Sequence, residues 1–422
     1  MEFEGKLSDY AEVVMGQSPS GENVSAQIVG PPLLNGPTEF GPSHPRPVQW
    51  TRDPKKFAKS GNILFCVRGS TTGRMNWADQ TYAIGRGLAA IRGKNGFDIR
   101  FIRGVIETGL PDLLALATGS TFPNVGRDDL LAIPAPMISL EGSIAIGSVL
   151  KAISDRIDHN RALAANLEAI ARRLFKSWFV DFDPVRAKAA GEKPPGLADD
   201  IAALFPDRLV DSELGEIPEG WVYQPITRIA SVLSGGTPKR SVIEYWDGDI
   251  PWYSVVDSPT DGNMFVVRTS EYITQLGLEK SAAKLLPAGV TILSARGTVG
   301  KLALTCCPMT INQSCYAIKG DLGDYFTYFT IAQSIEWLKQ NVHGAVFDTI
   351  TKATLDGMTV VTPSEKAIQA FEIVVKPLMV RIESSVRERL ALSSIRDLLL
   401  PRLISGKLRV EDAEPIIEET LA

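Results

Sequence analysis

The chain has 422 residues, 44% of them hydrophobic and 22% charged, with a formal net charge of −5. That length exceeds one ordinary core, so two or more domains are expected, and the composition is that of a globular protein. No apolar run reaches the roughly 18–20 residues of a membrane span, and the start MEFEGKLSDYAEV lacks a basic and an apolar leader region, so the reading is a cytoplasmic protein without a signal peptide.

The first element, KLSDYAEVVMGQSPS (Lys6–Ser20), alternates apolar and polar positions and ends in Gly-x-Ser-Pro. This is the pattern of a strand or short helix running into a turn, here carrying Gln17, Ser18 and Ser20. From Arg46 to Arg103 twelve Lys/Arg stand against three Asp, a net of +9. Such a local field attracts a polyanion whatever the total charge, or it is a solvated basic face. Within it, Gln49, Arg52, Lys55 and Lys56 flank Trp50.

ILFCVRGSTTGR (Ile63–Arg74) is a β-like run that breaks into Arg-Gly and small hydroxyl residues. A corner of this kind brings backbone N–H groups, hydroxyls and a guanidinium to one tip, and its glycines allow close approach to phosphate oxygens. Arg68, Ser70, Thr71, Thr72 and Arg74 are the candidate contacts. A plain hairpin with arginine in a structural ion pair is the competing reading. IGRGLAAIRG (Ile84–Gly93) follows with Arg86, and Asn124 lies in a loop after Phe122.

A helix is predicted from about Gly142 to Val180. Ile146, Leu150, Ile153, Ile157, Asn160, Ala164, Leu167, Ala171 and Leu174 recur at spacings of four and three, a heptad seam with one polar position at Asn160. It would be about 55–60 Å long at ~1.5 Å per residue. LFKSWFVDF closes it, with Leu174/Trp178 and Phe175/Phe179 as i, i+4 pairs and Phe182 beyond. These suit packing inside the chain or docking of another subunit. DFDPVRAKAAGEKPPGLADD then reads as a Pro/Gly/Ala-rich acidic linker.

After IPEGW (Ile217–Trp221) the chain repeats itself. PITRIASVLSGGTPK (Pro225–Lys239) lies on Lys6–Ser20 at an offset of 219, and ILSARGTVGK (Ile292–Lys301) lies on the first corner near 228. INQSCYAIKG (Ile311–Gly320) lies on Ile84–Gly93 at 227, and GAVFDTITKATL (Gly344–Leu355) on GSTFPNVGRDDL (Gly119–Leu130) at 225. A looser apolar stripe runs from Phe371 to Leu399, with Pro377 expected to kink it or mark a late start. Near-constant offsets are those of a tandem duplication.

The expected fold class is therefore α+β, with two mixed α/β globules (1–140 and 217–363) and two long helices (141–183 and 364–410). The helices pair as an intramolecular antiparallel coiled coil with pseudo-twofold symmetry, or else pack on their own globules or on other subunits. A linker (184–216) and an acidic tail (411–422) complete the chain.

Residues for chemistry are scarce. Cys66, Cys306, Cys307 and Cys315 form no CxxC pair, so no zinc site or disulfide framework is expected. RGTVGK lacks the first glycine of a phosphate loop and has Leu302 where a hydroxyl should hold magnesium. There is no Asn/Asp-Pro-Pro-aromatic run and no Gly-rich cofactor loop. The expectation is no catalytic, metal or cofactor residue.

Three stretches, GWVYQPITRIASVLSGGTPKRSVIEYWDGDIPWYSV, LEAIARRLFKSWFVDFDPVRAK and LLLPRLISGKLRV, resemble the specificity subunit of type I restriction–modification systems, and the resemblance covers essentially the whole chain. It implies a non-catalytic subunit whose two recognition domains each read half of a bipartite site in double-stranded DNA. The helices would act as a ruler and dock two methyltransferase subunits, with Leu174, Phe175, Trp178, Phe179, Phe182, Leu399 and Leu403 at the subunit interface. S-adenosylmethionine would be bound by the methyltransferase subunits, and ATP and magnesium by the restriction motor subunits. A stand-alone DNA-modifying enzyme with fused recognition domains and a two-headed protein scaffold are the alternatives.

In the second copy the corner offers Arg296, Thr298 and Lys301, and the turn GGTPKR offers Gly235, Gly236, Thr237, Lys239 and Arg240 as a flexible basic loop. Residues that read bases should differ between the copies, because half-sites differ. Arg86 stands where the second copy has Gln313. Tyr253, Ser254 and Asp257 follow IPW, Asn312 and Gln313 suit bidentate amide contacts to adenine, and Lys352 lies in the loop after Phe347.

Overall fold

Two sheets of one strand order carry the duplication. The computed structural model describes residues 4–116, 124–213, 215–260, 263–341 and 349–421, so Phe122 and Phe347 lie outside the described residues. The chain divides into a first unit, Met1–His159 with Glu388–Ala422, and a second, Asn160–Arg387.

In the first unit the strands are β1 (Ala11–Met15), β2 (Leu33–Leu34), β3 (Ile63–Cys66), β4 (Met75–Trp77), β5 (Tyr82–Ile84) and β6 (Leu88–Gly93). They form an antiparallel sheet in the order β1-β6-β3-β4, beside a small sheet in which β2 runs parallel to β5. All four residues of β3 are buried, because both faces of the sheet are covered. Ile63, Phe65 and Ile91 face Phe101, Ile102 and Val105 of helix α1 (Ile99–Leu116). Leu64, Cys66 and Ala90 face Leu34, Tyr82 and Ile84.

The second unit repeats this with β7 (Ala230–Ser234), β8 (Trp246–Tyr253), β9 (Phe265–Val266), β10 (Thr291–Ser294), β11 (Leu302–Thr305), β12 (Thr310–Ile311) and β13 (Cys315–Gly320). The order β7-β13-β10-β11 matches the first sheet, β9 adds to β11, and β8 runs parallel to β12 as β2 does to β5. Register agrees as well: Leu64 pairs with Ala90, and Ile292 with Ala317.

Both long helices, α2 (Leu140–Phe179) and α4 (Glu365–Ile404), have 40 residues. Arg156 of α2 pairs with Glu388 of α4 in the first unit, and Phe175 meets Phe371 at 5.7 Å in the second. Rising numbers on one helix match falling numbers on the other, so they pair antiparallel. Helix α4 runs continuously through Pro377, so the late start is overturned. Ile373, whose carbonyl loses its partner there, is 72% exposed, and water can take the freed acceptor.

Asn160 and its counterpart in the other copy, Ser385, are each 1% exposed. Neither side chain has a hydrogen-bond partner among the described residues. A buried polar group in a seam lowers stability while specifying register. Combining Asn160→Leu with Ser385→Ala is therefore expected to raise unfolding free energy by about 1–3 kcal/mol, read by urea denaturation; a lower midpoint would contradict their being orphaned.

The expected subunit-interface residues are interior. Phe175, Trp178, Phe179 and Phe182 are buried among Phe205, Trp221, Phe326, Phe329 and Phe371, with ring centroids 5.2–6.1 Å apart. Leu399 and Leu403 are buried in the first unit's core and Leu174 is half-buried. The aromatic pattern is largely satisfied within the second unit, although Phe175, Phe179 and Phe182 also line an open cleft with Val180, Arg186 and Tyr223.

The linker and tail also differ from expectation. Asp183–Ala189 and Asp199–Ala202 are helical, Leu209–Val210 pairs with Ile217–Pro218, and Val185 and Phe205 are buried. The tail forms helix α5 (Val410–Leu421), whose Ala413, Ile416 and Ile417 join the first core. Among the described residues no helix is long and apolar enough to cross a membrane.

Glu372 on α4 caps helix α3 (Asp324–Gln333), its carboxylate accepting the Phe326 N–H at 2.7 Å. Burial pushes its pKa up to about 7, with the Phe326 N–H opposing, Asp324 raising it further and Lys319 lowering it. A carboxyl raised in the fold holds more protons there than in the unfolded chain, so stability falls as pH rises from about 4.5 to 7. Glu372→Gln is expected to flatten that part of the pH–stability profile and to raise stability at pH 8; an unchanged slope would exclude Glu372 as its source.

Candidate nucleic-acid interface

The doubled corner is one structure built twice. In the first unit Gly73 N donates to Cys66 O and Cys66 N to Arg74 O, both at 2.9 Å. In the second, Gly300 N donates to Ser294 O at 3.0 Å and Ser294 N to Lys301 O at 2.9 Å. Each turn passes through left-handed backbone at two glycines, Gly69 (φ 85°) and Gly73 (φ 90°), then Gly297 (φ 76°) and Gly300 (φ 85°), a conformation that excludes most other residues. Each corner also holds an outlying segment by one strand-like bridge, Arg68 to Asn124 and Arg296 to Thr349.

Arg68, Ser70, Arg74, Arg296, Thr298 and Lys301 are exposed. Arg68 Nε donates to Asn124 Oδ1 at 3.2 Å, and its terminal nitrogens have no partner among the described residues. Among the described residues the side chains of Arg74, Arg296 and Lys301 form no ion pair, so the ion pair of the alternative reading is not found there. The hydroxyls are different. Thr72 Oγ1 donates its single proton to Gly69 O at 2.8 Å, and Thr71 turns onto the Cys66 sulfur at 3.4 Å. The Thr72 hydroxyl therefore has no proton left for a phosphate and serves the turn.

Two further loops converge on each corner. Val67 N donates to Gly87 O at 3.0 Å, and Ala295 N to Ser314 O at 2.8 Å, which fastens the corner to the loop between β5 and β6 and to its equivalent between β12 and β13. The loop after the first strand joins them. Gly16 N donates to Leu88 O and Gln17 N to Ile84 O at 2.9 Å each, matched by Gly235 N to Cys315 O (3.2 Å) and Gly236 N to Ile311 O (2.9 Å).

Several candidates prove structural. A Cβ on Gly235 would stand 2.0 Å from Asn312 O, and one on Gly236 2.3 Å from the Ala282 carbonyl carbon. These glycines permit backbone packing and do not form a flexible phosphate loop. Arg240 is held by both oxygens of Glu271 and lies over the Trp246 and Trp252 rings at 4.0 and 5.0 Å. Its charge is thereby matched by Glu271, while the side chain itself stays exposed. Tyr253 is fully buried, bonds Ser258 at 2.8 Å, and has its pKa pushed up by that burial; it is a core residue. Ser254 donates through both N (2.9 Å) and Oγ (3.2 Å) to Asp257. Asn312 Oδ1 accepts Ser314 N at 3.0 Å.

Lys55 pairs with Asp53 at 2.6 Å, whereas Arg52 and Lys56 are exposed. The Lys56 carbonyl accepts Ile84 N at 2.9 Å, beside the Gly85 loop. Lys239 is exposed, and so is Lys352 at the start of helix Lys352–Asp356. Asn35, which no sequence pattern singles out, packs where a Cβ on Gly85 would meet its Oδ1 at 2.2 Å and lies 3.5 Å from Ser18 Oγ.

Residues 218–372 match the family model for the type I restriction modification DNA specificity domain. The HindI specificity subunit of Haemophilus influenzae is 27% identical over 339 residues, covering 70% of this chain and 73% of that protein. The MjaIX specificity subunit of Methanocaldococcus jannaschii is 25% identical over 364 residues, covering 83% and 78%. In fold, the chain is similar to the crystal structure of the type I restriction–modification S subunit from M. genitalium, with TM-score 0.58 and 15% identity over 94% of this chain and 95% of that one.

Proposed function

We propose that this chain is a specificity subunit of the type I restriction enzyme kind, and that each of its two units reads one half of a split DNA sequence. The observation that carries this reading is the corner built twice with outward basic side chains, fastened to a loop that differs between the copies. Phosphates are alike at every step of a duplex, so the gripping part can be shared, whereas base readers must follow the sequence read. The Arg46–Arg103 stretch, net +9, suits a polyanion despite the acidic total. In the assembled enzyme, methyltransferase subunits would supply S-adenosylmethionine chemistry and restriction subunits ATP-driven cleavage, with this chain contributing recognition alone.

Genome-wide mapping of methylated bases, with and without this gene, tests the reading. A split motif that vanishes on deletion is the expected result. Methyl transfer by the purified chain alone would favour a stand-alone enzyme instead.

A further inference from the structure

Arg86 and Gln313 occupy the same place in the two units, and the scaffold around them is alike down to single backbone hydrogen bonds. Each sits in the loop preceding the central strand, β6 or β13, between residues tied to the corner and to the first-strand loop. Each side chain is exposed. The hydroxyl residue of the neighbouring loop touches each, at the main chain in one unit and at the side chain in the other. Ser18 Oγ accepts the Arg86 backbone N–H at 3.1 Å, and Thr237 Oγ1 donates to the Gln313 side-chain Oε1. What differs is the chemistry presented, a guanidinium in one unit and a carboxamide in the other.

We infer that Arg86 and Gln313 are the equivalent specificity-determining residues of the two units, Arg86 reading guanine and Gln313 reading adenine. This rests on the DNA-recognition reading above and adds to it the residues and the bases. The Arg86 guanidinium has no partner among the described residues, so two parallel N–H groups are available for guanine O6 and N7. Among the described residues Gln313 keeps both amide N–H groups and the second lone pair of Oε1. Those groups match adenine, donating to N7 and accepting from the N6 amine. Thr237 acts as a positioning residue, because its hydrogen bond restricts which way the amide faces.

The neighbours do not compete. Asn312 spends its Oδ1 on Ser314 N, Arg240 is paired with Glu271, and Tyr253 is buried. The basic side chains of the corner, Arg68 and Arg74 or Arg296 and Lys301, stand on the segment fastened to the same loop. A phosphate gripped there would bring the adjacent base edge toward position 86 or 313.

The test uses the full chain assembled with its methyltransferase subunits, carrying Arg86→Gln, Gln313→Arg or Thr237→Val, and maps the methylated motif of each. Arg86→Gln is expected to lower preference for guanine at one position of one half-site by roughly 5- to 150-fold and to leave the other half unchanged. Gln313→Arg is expected to do the same for adenine in the other half, and Thr237→Val to relax that same adenine position. An unaltered motif with all three variants would overturn the inference while leaving the recognition role intact. Uniformly weaker methylation with every base preference retained, in variants that melt like the parent, would overturn it in favour of a phosphate or scaffold role. No motif dependent on the parent chain would mean that the recognition reading itself fails.

Discussion

Phe371→Ala is expected to destabilise the second unit by about 3–5 kcal/mol, the usual cost of emptying a large buried aromatic site. Phe371 is fully buried, and its ring meets those of Phe175 (5.7 Å), Trp178 (6.0 Å), Phe179 (5.3 Å) and Phe329 (6.1 Å). Here the C-terminal half of α2, helix α3 and the N-terminal half of α4 share one core, so the cavity has walls on three elements and little freedom to collapse. The edge-to-face arrangements that vanish with the ring are worth about 0.5–1.5 kcal/mol per pair. Phe371→Leu keeps most of the volume and should cost much less. Urea denaturation of the two variants decides the matter; a loss under about 1 kcal/mol for the alanine variant, far below the usual cost, would show that the aromatic cluster does not hold the helices.

Neutralising the two corners should have the largest effect on DNA binding. With Arg68, Arg74, Arg296 and Lys301 all changed to glutamine, the dependence of log affinity on log salt should become shallower by about 0.9 for each phosphate no longer neutralised, roughly 3–4 for all four. The motif read should stay the same, because a grip on phosphates positions a protein without distinguishing bases. Variants at Arg86 or Gln313 should show the opposite pattern, with an altered motif and a nearly unaltered salt slope. The measurement is binding of the assembled complex to its own site at several salt concentrations. An unchanged slope in the fourfold variant would place the phosphate grip elsewhere on the chain.

Local information in the chain was enough for the two sheets and the first long helix. The internal offsets of 219 to 228 located both copies of the sheet, and a heptad period placed the first helix within two residues of Leu140–Phe179. Strand alternation, helical period and glycine at left-handed turns are properties of neighbouring residues, so they can be read without knowing what packs on them. Long-range contacts decided which polar and aromatic residues remain outward. Arg240 looks like any basic loop residue until Glu271, 31 positions on, is found against it. Phe175 and Phe179 look like a docking patch in the sequence, and the fold buries most of both rings against Phe326 and Phe371. Phe205 and Ala413 seem isolated in acidic stretches, yet each is buried against a core assembled from elsewhere in the chain. A side chain's availability depends on partners distant in sequence, and only the folded arrangement brings those partners together.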